Sequence, residues 1–483
     1  MLGVLALNAY RAATQSITID EAYTYTEFVE APFNETLTRY DANQHILFSI
    51  AARITTALLP APEFSLRLPT VVAGAVFLVV ICLLCARALG ATPLFAAAIG
   101  LVALNPFLLD YLSAARGYGL ALAFWFSGLF LFLKGLRPPN APGAIAAGAL
   151  CAMLSVAANL TFAFPAAGLT GMMLLLLFVK RRYRLLPYLA LPVVFIGLLL
   201  YASPLRHARP AHFYHGAPTI SESVNSLGAY TFFYRSENFT LAGMPNWLSA
   251  TERRVLGWLR IALAILVAGG VAAVLHGIRR SRRGLEMDEL SSLITLLGGS
   301  SLLGAVLLVT AHHLFGVLYP ASRTGLFWIV GASLLCPLLA GKLMRWPRYG
   351  RAAAVILATA GLACAAYLGS QIRTGNYAEW RYDAGTKEMV RRIDALPRTA
   401  RPLRAGVSWT LASSMEYYRR VWKLDWDPVV RMPAEQLEQL ARAGEFQCVV
   451  LLPMDRRALE RIGWRQIFRD PGTGAILAVP PQR

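Results

Sequence analysis

Asp20-Glu21-Ala22-Tyr23-Thr24-Tyr25 is a polar, aromatic stretch that directly follows a short apolar segment at 1–13. Beyond it, about 350 residues read almost entirely as membrane, so this pair of adjacent carboxylates stands at the rim of a bilayer. Composition agrees with that reading. The chain has 483 residues, 56% of them hydrophobic and only 15% charged, with a mean hydropathy of +0.50. That is too apolar for one soluble domain and too long for a single anchor, which leaves a polytopic membrane protein.

A helix needs roughly 20 mainly apolar residues to span the hydrocarbon core. Runs of that kind fall near 68–88, 93–110, 117–134, 142–160, 162–179, 185–203, 255–277, 289–310, 324–341 and 352–369. Segment 1–13 is shorter and carries Asn8 and Arg11. It lacks the organisation of a removable signal peptide and reads as a clipped first span, for about 11 transmembrane helices in an α-helical polytopic protein.

The formal charge of +19 would suit a nucleic-acid binder, but the basic residues gather in short connectors. Arg87, then Lys134 and Arg137, then Lys180 to Arg184, then Arg279 to Arg283, then Lys342 to Arg351 occupy every second gap between apolar runs. This is the positive-inside pattern, and it excludes nucleic acid as the reason for the charge. The alternate gaps then face outward: 14–66, the turns at Arg116 and Asn159, 204–254, 311–323 and everything after about 370. Both opening carboxylates belong to the outer face.

Past residue 370 the pattern changes. Short apolar stretches at 404–409, 446–452 and 475–479 alternate with helical patterns at 386–396, 411–421 and 434–443. The expectation is a transmembrane domain over 1–370 and a small extracytoplasmic α/β domain over 371–483. The latter has no phosphate-binding glycine loop and reads as a lid or docking surface. Five of the six cysteines lie in apolar runs and only Cys448 lies outside them, so neither a disulfide framework nor a CxxC metal site is expected.

Three outward segments carry polar constellations. The first loop holds Asp20-Glu21 and Asp41-Ala42-Asn43-Gln44-His45, and Ser65-Leu66-Arg67-Leu68-Pro69 enters the next span. A second segment runs from Asn105-Pro106 through Asp110 to Ala115-Arg116-Gly117-Tyr118, and a third from His312-His313 to Tyr319-Pro320-Ala321-Ser322-Arg323. A carboxylate at this depth can act as general base on an alcohol or amine, while arginines can bind a phosphate and stabilise it as it leaves. A phosphate-linked lipid donor suits such a set, because its chain stays in the bilayer while its head group reaches the outer face.

The order of these motifs resembles the polytopic GT-C glycosyltransferases, in the branch of the protein O-mannosyltransferases and the bacterial aminoarabinose transferases. The motifs are the acidic pair, Asn-x-His at Asn43 to His45, Arg-Leu-Pro at Arg67 to Pro69, Ala-Arg-x-Tyr at Ala115 to Tyr118 and the late Tyr-Pro…Arg turn. The resemblance covers roughly residues 15–340. It implies a GT-C fold, a polyprenyl-phosphate sugar donor, transfer with inversion on the extracytoplasmic face, and an acceptor that is a lipid, a glycan or a protein. It makes Asp20 the catalytic base, with Glu21 beside it to orient the acceptor or tune Asp20. Arg116, Tyr118, Arg323 and His45 fall to the donor phosphate, and Asn43 and Asp41 to the acceptor or the cleft lining. The short first segment and the span count depart from some relatives and leave the acceptor side undefined.

Other readings compete. Asp20 and Glu21 also suit the first turn of a helix, and Arg116 and Arg323 suit interfacial anchors. His207, His212, His215, His312 and His313 match no metal signature, so neither a metal nor another cofactor is expected, although a divalent cation is the alternative reading. Asn34-Glu35-Thr36 and Asn238-Phe239-Thr240 match the glycosylation sequon, a pattern common by chance, and Trp125, Trp247, Trp258 and Trp328 read as belt or packing residues. A transporter or flippase of a lipid-linked or anionic solute is the alternative function, but it calls for ionisable groups at mid-membrane, where these spans have almost none. A scaffold would leave the ordered motifs unexplained. The composition suits a bacterial inner membrane.

Overall fold

The computed structural model describes residues 1–60, 62–137, 141–203, 205–209, 212–234, 249–346, 349–397 and 402–481; the sequon at Asn238 and Trp247 lie outside them. The chain divides into two compact units. The first comprises Met1–Ala9, Leu37–Phe48 and Pro69–Ile372, and the second Tyr10–Thr36, Ser49–Leu68 and Arg373–Arg483.

Among the described residues, 8 helices are long and apolar enough to cross a membrane. They are Pro62–Leu89, Tyr118–Gly135, Leu160–Val179, Tyr183–Ala202, Ala250–Arg282, Glu289–Phe315, Ser322–Leu343 and Gly350–Ser370. Two expected spans come out shorter. The run at 93–110 breaks into Pro93–Ala103 and Pro106–Tyr111 because Pro106 has no N–H to give, and Asn105 caps the new start by accepting from Leu108 N at 3.1 Å. The run at 142–160 ends as Pro142–Ala158, where Asn159 turns extended and takes the N–H of Thr161 at 3.0 Å. Segment 1–13 forms the helix Leu2–Thr14.

In the first unit, Ala163–Val179 and Glu289–Phe315 approach to backbone contact. A Cβ on Gly168 would stand 2.1 Å from the Ser300 carbonyl oxygen, and one on Gly304 would stand 2.9 Å from that of Phe164. Small residues at such crossings replace the hydrophobic driving force that lipid does not supply. Leu191, Val194, Phe195 and Leu198 on one helix and Trp258, Ile261 and Ile265 on another are exposed, an apolar surface that only lipid or a partner would cover. Basic connectors expected on one side do meet: Arg182 donates to the Leu136 carbonyl at 2.8 Å, Arg137 pairs with Glu289, and Arg345 pairs with Asp288.

The second unit carries a four-stranded sheet in the order β1-β2-β4-β3. β1 (Ala405–Val407) runs parallel to β2 (Cys448–Leu451), β4 (Ile476–Val479) is antiparallel to β2, and β3 (Arg465–Arg469) forms the antiparallel edge. The helices Thr386–Asp394, Ala412–Val421 and Ala434–Arg442 stand where helical patterns are expected. β3 went unread because its polar, basic side chains lack the apolar alternation of a half-buried strand. Leu437, Phe446, Val449, Leu451 and Ile476 form a core on the sheet.

Candidate active site

The expected site residues fall into two sets, one in each unit: Asp20 and Glu21 in the second, and Asp41, Asn43, His45, Arg116, Tyr118 and Arg323 in the first.

Thr18 starts the helix Ile19–Thr24. Its hydroxyl accepts from Glu21 N at 3.3 Å while Thr18 N donates to Glu21 Oε2 at 2.9 Å, a capping box. Glu21 and Arg67 are both fully buried and paired through two hydrogen bonds, Nε to Oε1 at 2.8 Å and Nη2 to Oε2 at 2.7 Å. Nη1 of Arg67 donates to the carbonyls of Ala12 and Gln15, and Nη2 also donates to that of Ser16. All five guanidinium N–H groups are thereby used. Glu21 is committed inward, while Asp20 beside it remains half-buried.

The tail supplies the remaining partners of this turn. Asp383 accepts from Ile19 N at 2.8 Å and from the Ser414 hydroxyl at 2.7 Å. Tyr418 Oη accepts from Ile17 N at 2.9 Å and donates to Glu63 Oε1 at 3.2 Å, and Lys387 Nζ lies 2.6 Å from the same oxygen. Burial, with the charges of Glu21 and Asp20 adding to it, pushes Asp383 well above the usual carboxylate range, against the lowering effect of its two hydrogen bonds. Asp383, Ser414 and Tyr418 leave no local signal, because they stand some 360 to 400 residues from Asp20 in the chain. The Thr-x-x-Glu capping box was readable in the sequence. Arg11, which interrupts segment 1–13, is buried with its guanidinium 4.9 Å from the Tyr377 ring centre.

In the first unit, Asp41 takes the Asn43 N–H at 2.7 Å, a local turn that presents Asn43 to Arg116. Arg116 is buried, its Nη2 donating to Asn43 Oδ1 at 2.9 Å and its carbonyl accepting from Thr70 Oγ1 at 3.0 Å. The next residue must be small, because a Cβ on Gly117 would lie 2.0 Å from the Ala158 carbonyl and 2.9 Å from His45. His45 is 4% exposed, and neither ring nitrogen has a hydrogen-bond partner among the described residues. Burial first, then the positive charges of Arg116 and Arg323, hold it well below its ordinary pKa, so its imidazole is neutral.

Tyr118 packs rather than points outward. It is buried, edge-on to His45 at 5.5 Å and to Tyr111 at 4.9 Å. Phe107 extends the aromatic bed towards Tyr234, whose hydroxyl donates to Asp110 Oδ2 at 3.0 Å. Arg323 is half-buried in the short turn Ser322–Gly325, where Ser322 has φ 44 and its N–H donates to Ser226 Oγ at 3.0 Å. His215 reaches the Ser322 hydroxyl at 3.3 Å. Among the described residues, no three of His, Cys, Asp and Glu converge as a metal site would require.

The chain matches no family model and no curated protein. It is similar to solved structures of ArnT from Cupriavidus metallidurans, bound to undecaprenyl phosphate (13% identity, TM-score 0.46) and in the apo state (15%, 0.48), each covering 100% of this chain and 98% of that one. It is similar to the Archaeoglobus fulgidus oligosaccharyltransferase in complex with Zn and sulfate, at 13% identity and TM-score 0.48, over 99% of this chain and 73% of that one. It is also similar to the arabinofuranosyltransferase AftD from Mycobacteria, at 15% identity and TM-score 0.39, over 100% and 41%.

Proposed function

We propose that the chain is a membrane glycosyltransferase that moves a sugar from a polyprenyl-phosphate donor to an acceptor on the extracytoplasmic face, with inversion. The observation that carries this is the division of labour in the acidic pair. Glu21 is locked onto Arg67, while Asp20, next to it, is half-buried on a turn in which the N–H groups of Ile17, Thr18, Ile19 and Glu21 are held by side chains. A general base must be held in place and also reachable. Asp20 takes the proton of the acceptor hydroxyl or amine, the acceptor atom attacks the anomeric carbon, and the bond from that carbon to the phosphate oxygen breaks. Its electron pair stays on the departing polyprenyl phosphate. Arg116 and Arg323 are assigned to that phosphate, whose charge rises as it leaves, and His45 to the lining of the same place. Glu21 becomes a positioning residue, and Asn43 and Asp41 hold Arg116 in place. The motif order from Asp20 to Arg323 supports the same reading.

The test is transfer by purified protein in lipid from a panel of radiolabelled polyprenyl-phosphate sugars to envelope extract. Wild type moves label to a new product, and Asp20→Asn and Arg116→Ala lose that transfer. Wild-type-dependent movement of label across the vesicle membrane without any product would replace the transferase with a flippase.

A further inference from the structure

Arg431, Trp409 and Tyr23 of the second unit form a feature that the proposed mechanism does not use. The Arg431 guanidinium carbon lies 5.1 Å from the Trp409 ring centre and 5.8 Å from that of Tyr23. Ser413 steadies it, accepting from Nε at 3.0 Å and from Nη2 at 2.6 Å. Both Nη1 protons and the second Nη2 proton have no acceptor among the described residues, and no carboxylate pairs with this arginine. Neighbouring arginines are neutralised: Arg419 and Arg420 pair with Glu416, and Arg404 with Glu445. Trp409 is 51% exposed, a high value for so large an apolar ring.

The placement fits a binding role. Trp409 and Ser413 follow the carboxyl end of β1, the end of a parallel strand at which open α/β sheets bind ligands. Tyr23 stands three residues after Asp20 on the helix Ile19–Thr24, and residues so spaced are neighbours on one helix face. An aromatic face suits the apolar face of a sugar ring, and a guanidinium held flat with open N–H groups suits a phosphate or carboxylate.

We propose that Arg431, Trp409 and Tyr23 form a subsite for an anionic sugar of the acceptor, beside Asp20. The claim rests on the transferase reading for the word acceptor, and on the side-chain arrangement alone for the anionic sugar. The phosphate of the lipid donor has the same chemistry, so the two sources are tested separately.

The experiment uses the full chain in lipid nanodiscs and follows saturable binding of glucosamine 1-phosphate, glucosamine, inorganic phosphate and polyprenyl phosphate. Wild type binds the sugar phosphate at least about tenfold more tightly than glucosamine, and Arg431→Ala loses about tenfold for it. Trp409→Ala weakens the sugar phosphate and leaves inorganic phosphate unchanged. Arg431→Lys, which keeps the charge but not the flat fork, falls between wild type and Arg431→Ala. Arg431→Ala keeps its affinity for polyprenyl phosphate. No saturable binding of the sugar phosphate, equal binding by Arg431→Ala, or a loss of polyprenyl-phosphate affinity in that variant overturns the subsite. If wild type transfers no sugar from any lipid donor, the transferase reading fails, while these binding results still decide the subsite.

Discussion

His45 carries the clearest pH signature in the protein. Burial and two arginine charges hold its pKa far below the 6.5 of a free imidazole, so the folded protein keeps it neutral where the unfolded chain takes up a proton. The sign follows from linkage: below 6.5 the unfolded state binds more protons, so stability falls as pH falls. The slope contributed by this residue is about 1.4 kcal/mol per pH unit. Thermal unfolding of wild type against His45→Asn between pH 7 and about 5 should show wild type losing ground as pH falls, with that slope approached only at the acid end of the range. Parallel curves would mean that His45 is solvated. At this scale the sequence was informative about identity and not about orientation. Asp20 and Glu21 were conspicuous as neighbours, but which carboxylate is locked inward depends on Arg67, 46 positions beyond Glu21 along the chain.

The turn at 15–21 is held as an element by Arg67. Loss of one partner of a buried pair leaves the other charge uncompensated, at about 3–5 kcal/mol. Arg67→Met should therefore lower thermal stability by that order, and adding Glu21→Gln should restore a substantial part of it. If the double variant is no better than the single, the carbonyls of Ala12, Gln15 and Ser16, rather than Glu21, are what the guanidinium chiefly serves. Spans were the most legible elements, because about 20 apolar residues leave a strong signal. The two that shortened did so at Asn105-Pro106 and at Asn159, residues whose capping and helix-breaking chemistry can be read locally but was outweighed by hydropathy. The sheet was readable where strands are buried, as in β1, β2 and β4, and not at the basic edge β3.

On the scale of the molecule, residues 373–483 form one compact unit with 10–36 and 49–68. Asp383, Ser414 and Tyr418 therefore belong to the same body as Asp20, a grouping set by long-range hydrogen bonds that no sequence pattern encodes. Asp383→Ala strands the buried Ile19 N–H and should cost about 1–3 kcal/mol. Asp383→Asn, which keeps an acceptor for that N–H and can donate to Ser414, should recover most of it. Amide exchange of residues 17–21 would report the difference, and equal protection in both variants would show that Asp383 does not hold this turn. The central claim, that Asp20 is the base of a sugar transfer, is tested most directly by the transfer rate of Asp20→Asn in proteoliposomes supplied with a lipid-linked donor that wild type accepts. The predicted result is a fall of about 10² to 10⁴-fold with the fold and donor binding retained. Turnover equal to wild type would contradict it.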